Sequence, residues 1–159
     1  PARSGSCRRR WLTEERAMQT GGCLCGAVRY RVDGAPLASG ICHCRSCRKA
    51  ASAPVLPFLV FPAQAFTITT GTPAQYASSP GVTRSFCAAC GSPLTYRTAT
   101  AQGRIDVMTC SLDDPEAFPP DFHVWVSHGL AWAAPGRDGR RVHATTRRAT
   151  AAGEGVAPG

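Results

Sequence analysis

Apolar and polar residues alternate along this chain in short runs, and no stretch repeats apolar residues at the 3.6-residue spacing of a long helix. Ala27-Val-Arg-Tyr-Arg-Val32 alternates with period two, as a strand with one buried face does. Asp33-Gly34 then turns the chain. A second strand is expected over Ala38–Cys44, with a short turn or helix over Arg45–Ala53. Val55–Phe61 is apolar but contains Pro57, which suits an edge strand or a bulge. Phe66–Thr70 reads as a strand stopped by Gly71, and another begins near Gln75-Tyr76, with a turn at Ser78-Ser-Pro-Gly81. Val82–Phe86, Leu94–Thr98, Arg104–Cys110 and Phe122–Val126 complete the series. Leu112-Asp-Asp-Pro115 breaks the chain between the last two. Cys110 reads as a small core residue and Trp132 as packed on the core. Many short strands joined by Gly and Pro turns make a mainly β domain.

The 159 residues suffice for one domain with its own core. Thr20 to Pro135 carries the strand pattern, and the flanks lack it. Residues 1–19 are expected to be an N-terminal extension, loose apart from a short helix near Thr13–Met18, where Thr caps and acids suit the first turn. Met18 stands just ahead of the patterned region, so residues 1–17 read as lying outside the domain. Residues 136–159 are rich in Gly, Arg, Thr and Ala and are expected to be disordered. The formal charge of +8 is concentrated in these flanks: each carries five arginines against two acids, and residues 20–135 add only +2. Seventeen of the eighteen basic residues are Arg, in a chain also rich in Ala, Gly and Pro. That bias points to coding composition, and a nucleic-acid surface is not expected.

No apolar run is long enough to span a bilayer, and the basic residues Arg8–Arg10 are followed by no apolar stretch of the signal-peptide kind. A cytoplasmic location is expected, and there clustered cysteines mean metal or catalysis more often than disulfides.

Seven of the nine cysteines fall in three clusters. Cys23 and Cys25 sit in Gly-Gly-Cys-Leu-Cys-Gly; Cys42, Cys44 and Cys47 in Cys-His-Cys-Arg-Ser-Cys; Cys87 and Cys90 in Phe-Cys-Ala-Ala-Cys-Gly. The remaining two, Cys7 and Cys110, stand alone. Four plus three matches one closed zinc site and one open one, since a structural zinc takes four protein ligands and a catalytic zinc keeps a position for water or substrate. Cys23, Cys25, Cys87 and Cys90 form the expected structural set, and Cys42, Cys44 and Cys47 the expected catalytic set, giving two Zn²⁺ per chain. The trio leaves three readings open: an open site, a closed site completed by His43, His123 or another residue, or a different partition of the seven sulfurs. In an extended Cys-x-Cys both sulfurs face one way and His43 the other. Arg45, Arg48 and Lys49 surround the trio and either bind substrate carboxylates or balance thiolate charge.

Gly-Gly-Cys-Leu-Cys-Gly-Ala-Val-Arg-Tyr, Cys-His-Cys-Arg-Ser-Cys-Arg-Lys, Phe-Cys-Ala-Ala-Cys-Gly-Ser-Pro-Leu and Ser-Leu-Asp-Asp-Pro occur in that order, followed by His123-Val-Trp and Trp132. Together they resemble the glutathione-dependent formaldehyde-activating enzymes, a family that includes centromere protein V. The resemblance covers about residues 20–135. It implies an Mss4-like β-tent of short antiparallel strands organised around two zinc sites, with the ligands divided four and three as above. It implies carbon–sulfur lyase chemistry on thiol–aldehyde adducts, with a small thiol such as glutathione and an aldehyde such as formaldehyde as partners. The alternative is a zinc-stabilised binding module without turnover. The fourth position at Cys42/Cys44/Cys47 separates the two: water or nothing there favours the enzyme, a protein ligand the module.

Overall fold

A computed structural model describes residues 18–133 and the backbone of Arg141–Val142. The extension 1–17, the short helix expected near Thr13, Cys7, His143 and the rest of the Arg-rich tail lie outside the described residues. The fold is mainly β, as the alternating pattern predicts. Ten strands fall within 18–133: β1 (Met18–Gly22), β2 (Arg29–Asp33), β3 (Ala38–Cys42), β4 (Leu56–Pro62), β5 (Phe66–Thr70), β6 (Ala74–Ser79), β7 (Val82–Phe86), β8 (Pro93–Thr98), β9 (Arg104–Met108) and β10 (Phe122–Val124). Arg141–Val142 adds a two-residue β11, and the one α-helix among the described residues is α1 (Arg45–Ala51). Met18 and Gln19 thus begin the first strand, and Arg141–Val142 pairs in parallel with β10.

The strands form a three-stranded sheet, β1-β2-β5, and an eight-stranded sheet in the order β11-β10-β3-β4-β9-β8-β7-β6. The hairpin connections are antiparallel, while β10 lies parallel to β3, with Val124 opposite Cys42. The small sheet docks on the large one through Tyr30, whose hydroxyl lies 2.7 Å from Ser111 Oγ, and through a bridge between Gly21 and Leu112. A Cβ on Gly21 would overlap the Tyr30 hydroxyl and the Ser111 carbonyl, so the close approach of the two layers requires glycine there.

Two apolar clusters result. The larger joins Tyr30, Val32, Leu59, Phe61, Leu94, Ile105, Val107 and Phe118 with Cys23 and Cys87. The smaller joins Phe58, Val60 and Val124 with Cys42 and Cys44. Each cysteine set is therefore anchored in its own part of the core.

Three expectations are corrected. β4 is not an edge: it lies between β3 and β9. Pro57 is tolerated because the β9 ladder begins one residue later, at Phe58–Met108, so the proline sits past its end. Cys110 is exposed, in a 3₁₀ turn (Thr109–Ser111) that ends β9 at Met108. Trp132 is 77 % exposed and does not pack on the core. Two strands also stop early. β3 ends at Cys42 because Cys44 starts α1, and β10 ends at Val124 because Trp125 takes a left-handed conformation with φ 58°.

Candidate metal centres

Two tight turns of the chain bring the first four sulfurs together. After β1, Gly26 N–H donates to the Cys23 carbonyl (3.1 Å) and Val28 N–H donates to Cys23 Sγ (3.2 Å). Between β7 and β8, Gly91 N–H donates to the Cys87 carbonyl (2.9 Å), with Gly91 at φ 75°. The Ser92 hydroxyl ties the turns to each other, accepting from Leu24 N–H at 3.1 Å and lying 3.2 Å from Cys90 Sγ. Hydrogen bonds from the Ser92 hydroxyl and backbone N–H pull the Cys90 thiol down to about 5. The sulfurs of Cys23, Cys25, Cys87 and Cys90 lie within 4.8 Å of one another. Cys23–Cys25 and Cys25–Cys87 are 3.5 and 3.8 Å apart. Tetrahedral Zn–S bonds of about 2.3 Å require sulfurs about 3.8 Å apart. All four cysteines are free thiols, so the donor set fits a thiophilic ion and not a pair of disulfides.

The second centre is built at the start of α1. Cys42 closes β3, and Cys44, in extended conformation, caps the helix: its sulfur accepts from Cys47 N–H at 3.3 Å. One turn of helix then returns Cys47, and the three sulfurs lie within 4.8 Å of one another. Cys44 is the acidic member, pushed down to about 2 by hydrogen bonds from the Cys42 and Cys47 thiols, then by the Cys47 N–H and the charge of Arg84. Cys42 is pushed up by the same sharing, and Cys47 rises to about 11. Such a set gives up its remaining protons when a cation replaces them.

The expected division of faces is seen. His43 turns away from the sulfurs and is buried, its Nε2 2.8 Å from Nδ1 of His123, which is buried as well. Burial, then the neighbouring His123 and Arg48, lower the His43 pKa and favour the neutral ring. Among the described residues no histidine, carboxylate or fourth cysteine joins the trio. His128 stacks on Trp125, ring centroids 5.4 Å apart, and Trp125 packs against the trio's cluster.

The linear reading missed Arg84. It projects from β7, its Nη2 3.7 Å from Cys47 Sγ and its guanidinium 4.9 Å from the centroid of the Tyr96 ring. Its Nε donates to the Ser78 hydroxyl at 3.2 Å. Arg84 and Cys47 are 37 residues apart and meet only through strand pairing, so no local spacing announces them. Arg45, Arg48 and Lys49 lie along one face of α1 and line a cleft whose other wall includes Leu130 and Trp132.

The profile of the family described as "Glutathione-dependent formaldehyde-activating enzyme" matches residues 18–128. No curated protein matches the chain. A crystal structure of a Rhodobacter sphaeroides protein is similar in fold, with a TM-score of 0.52 and 20 % identity over 59 % of this chain and 87 % of that one.

Proposed function

The chain belongs to the family of glutathione-dependent formaldehyde-activating enzymes, and from that premise we propose that it is a zinc-dependent carbon–sulfur lyase acting on thiol–aldehyde adducts. In the adduct-forming sense, a thiol sulfur adds to the aldehyde carbon and the thiol proton ends on the former carbonyl oxygen. The lyase direction breaks the same C–S bond. Glutathione and formaldehyde are the first pair to consider, and the cytoplasm, where thiols stay reduced, is the compartment the chemistry suits.

Cys23, Cys25, Cys87 and Cys90 are proposed to hold a structural zinc, and Cys42, Cys44 and Cys47 a catalytic one. A zinc ion at the trio would supply Lewis acidity and stabilise an added thiol as thiolate near neutral pH. The observation that carries the reading is the inequality of the two sets. One offers four sulfurs, and the other offers three with no fourth donor among the described residues. Arg84 sets a positive charge beside Cys47, where an anionic sulfur would gather. The buried His43–His123 pair holds the backbone between Cys42 and Cys44.

Exchange NMR with labelled formaldehyde and a panel of thiols tests this. The zinc-loaded protein should speed exchange between free aldehyde and hydroxymethyl thioether, and Cys44→Ala should not. If exchange stays at the uncatalysed rate and the cobalt-substituted protein already shows two complete four-donor sites, the chain is a zinc-stabilised binding module.

A further inference from the structure

The three-cysteine set is locked at three donors. Cys42 and Cys44 project from an extended segment, and Cys47 returns after one turn of α1. His43, which lies between two of the cysteines in the chain, is turned away and held by His123 at 2.8 Å. Phe58, Val60, Val124 and Trp125 pack around the sulfurs and offer no side-chain lone pair to an ion. Arg84 reaches Cys47 Sγ at 3.7 Å, but a guanidinium donates hydrogen bonds and cannot ligate.

Charge and coordination number then decide which ion the set can complete unaided. With three thiolates, Zn²⁺ leaves a net charge of −1 and needs a fourth ligand from outside for its tetrahedron. Cu⁺ suits soft sulfur but leaves −2 where Cys42 and Cys44 are buried, with Arg84 alone among the described cations touching a sulfur of the set. Trivalent arsenic takes three sulfurs, keeps a lone pair in the fourth direction and leaves no net charge. An apolar cluster favours the neutral complex, because a buried charge without a partner is costly. The four-cysteine centre has the opposite preference: arsenic there would leave one sulfur without a bond and open the clamp between the two turns.

We propose that Cys42, Cys44 and Cys47 form a binding site for trivalent arsenic, which displaces zinc there and not at the four-cysteine centre. With the three thiols protonated, the step is a condensation. Three As–S bonds replace the three As–O bonds of As(OH)₃, each hydroxyl leaves as water with one thiol proton, and nothing is oxidised or reduced. From the zinc-loaded set the same exchange takes three protons from solvent and releases Zn²⁺. Arsenous acid is small and uncharged in neutral solution, and the half-buried Cys47 gives it a first sulfur to meet. The bound arsenic closes the position that an incoming thiol needs. That consequence rests on the function proposed above; the binding itself does not.

The probe is sodium arsenite, added without competing thiol to the full zinc-loaded chain in the presence of a zinc-indicator dye. One of the two zinc ions should be released, and native mass spectrometry should show one arsenic gained. Arsenic K-edge absorption should show three sulfur neighbours and no oxygen. Cys47→Ser should weaken arsenite binding by more than the roughly 10–100-fold that loss of an outer-shell partner costs a metal site. Cys110→Ser, at the exposed cysteine outside both sets, should leave it unchanged. The sulfur count is read on unaltered protein, so the test stands even where Cys47→Ser fails to fold. Failure of arsenic to bind, attachment through two sulfurs, or release of zinc from the four-cysteine centre overturns the site. A chain that catalyses aldehyde exchange and ignores arsenite likewise overturns it and leaves the lyase standing. Arsenic bound through three sulfurs in a chain inactive in exchange keeps the site and removes the lyase.

Discussion

His43 Nε2 lies 2.8 Å from Nδ1 of His123, both rings buried, and the bond links the residue between two trio cysteines to a strand 80 residues away. The contact joins the end of β3 to β10, which runs parallel to it. His43 N–H donates to the Val124 carbonyl at 3.0 Å, so backbone and side chain both tie the end of β3 to β10. Gly40 on β3 completes the fit, since a Cβ there would meet the Phe122 and Phe58 rings.

Replacing His123 by Leu should leave His43 with a buried nitrogen unsatisfied. A cost of about 1–3 kcal/mol is expected in denaturant melts. The same change should weaken metal retention at the trio more than at the four-cysteine centre, because only the trio's backbone is held by this pair. Cobalt titration separates the two. Undiminished affinity at both centres would show that the pair is not a support for the site.

Loss of Cys87 should be far more damaging than loss of Cys47. Cys87 is 1 % exposed within the main core, and its set clamps the turn after β1 to the turn between β7 and β8. Structural zinc sites bring roughly 10 kcal/mol or more of apparent folding energy, comparable to the whole stability of a domain, about 5–15 kcal/mol. Cys87→Ser should therefore be unfolded or insoluble, and Cys47→Ser folded with about one metal per chain by elemental analysis. Equal melting temperatures for the two would contradict the division into structural and catalytic sets.

Much of this architecture is written locally. A knuckle such as Cys87-Ala-Ala-Cys90-Gly91 carries its own sulfurs and its own positive-φ glycine, so seven cysteines in three clusters announce themselves without knowledge of the fold. The same holds for Phe66–Thr70 and Val82–Phe86, strands with turn residues at their ends. What was not legible depends on pairing. Pro57 argues against a central strand until the offset of β9 is known. Trp125 gives no sign of the left-handed backbone that ends β10. Arg84 reaches Cys47, and His123 reaches His43, only across strands. Cys110 and Trp132, apolar by type, are exposed, because a 3₁₀ turn and a cleft wall place side chains by geometry that hydropathy does not record.

Asp113 should make stability depend on acid. Arg29 binds its carboxylate with both terminal nitrogens, and the Thr20 hydroxyl donates at 2.6 Å, so β1, β2 and the loop after β9 share one clamp. These contacts, Arg29 first, hold its pKa below the ordinary value. The group thus stabilises the fold above the unfolded value, about 3.9, and the contribution is lost as pH falls through the lower folded value. Both side chains are about two-fifths exposed, so solvent screening limits the effect to about 1 kcal/mol or less. Asp113→Asn should cost that much at pH 7 and nothing once the wild-type carboxylate is protonated. A difference between the two proteins that is the same at neutral and strongly acidic pH would assign the loss to packing.

Arg84 offers the sharpest test of charge at the trio. Its guanidinium is fixed on three sides, by the Tyr96 ring, the Ser78 hydroxyl and Cys47 Sγ. Its charge lowers the thiol pKa of both Cys44 and Cys47. In chelator-stripped protein, Arg84→Gln should move the pH at which Cys44 and Cys47 become reactive to iodoacetamide upward, read peptide by peptide in the mass spectrometer. Cys23 and Cys90, whose pKa values are set by their own turns and by each other, should keep their profiles. Arg84→Lys retains the charge but loses the planar stack and the fork of donors, so it should restore only part of the shift. In the loaded protein Arg84→Gln should also weaken retention of an added thiolate by several-fold, the direction expected when a partly desolvated cation is removed from beside an anionic sulfur. If the Cys44 and Cys47 profiles do not move while the fold and both metals are retained, Arg84 acts on the Tyr96 packing and not on the thiolates.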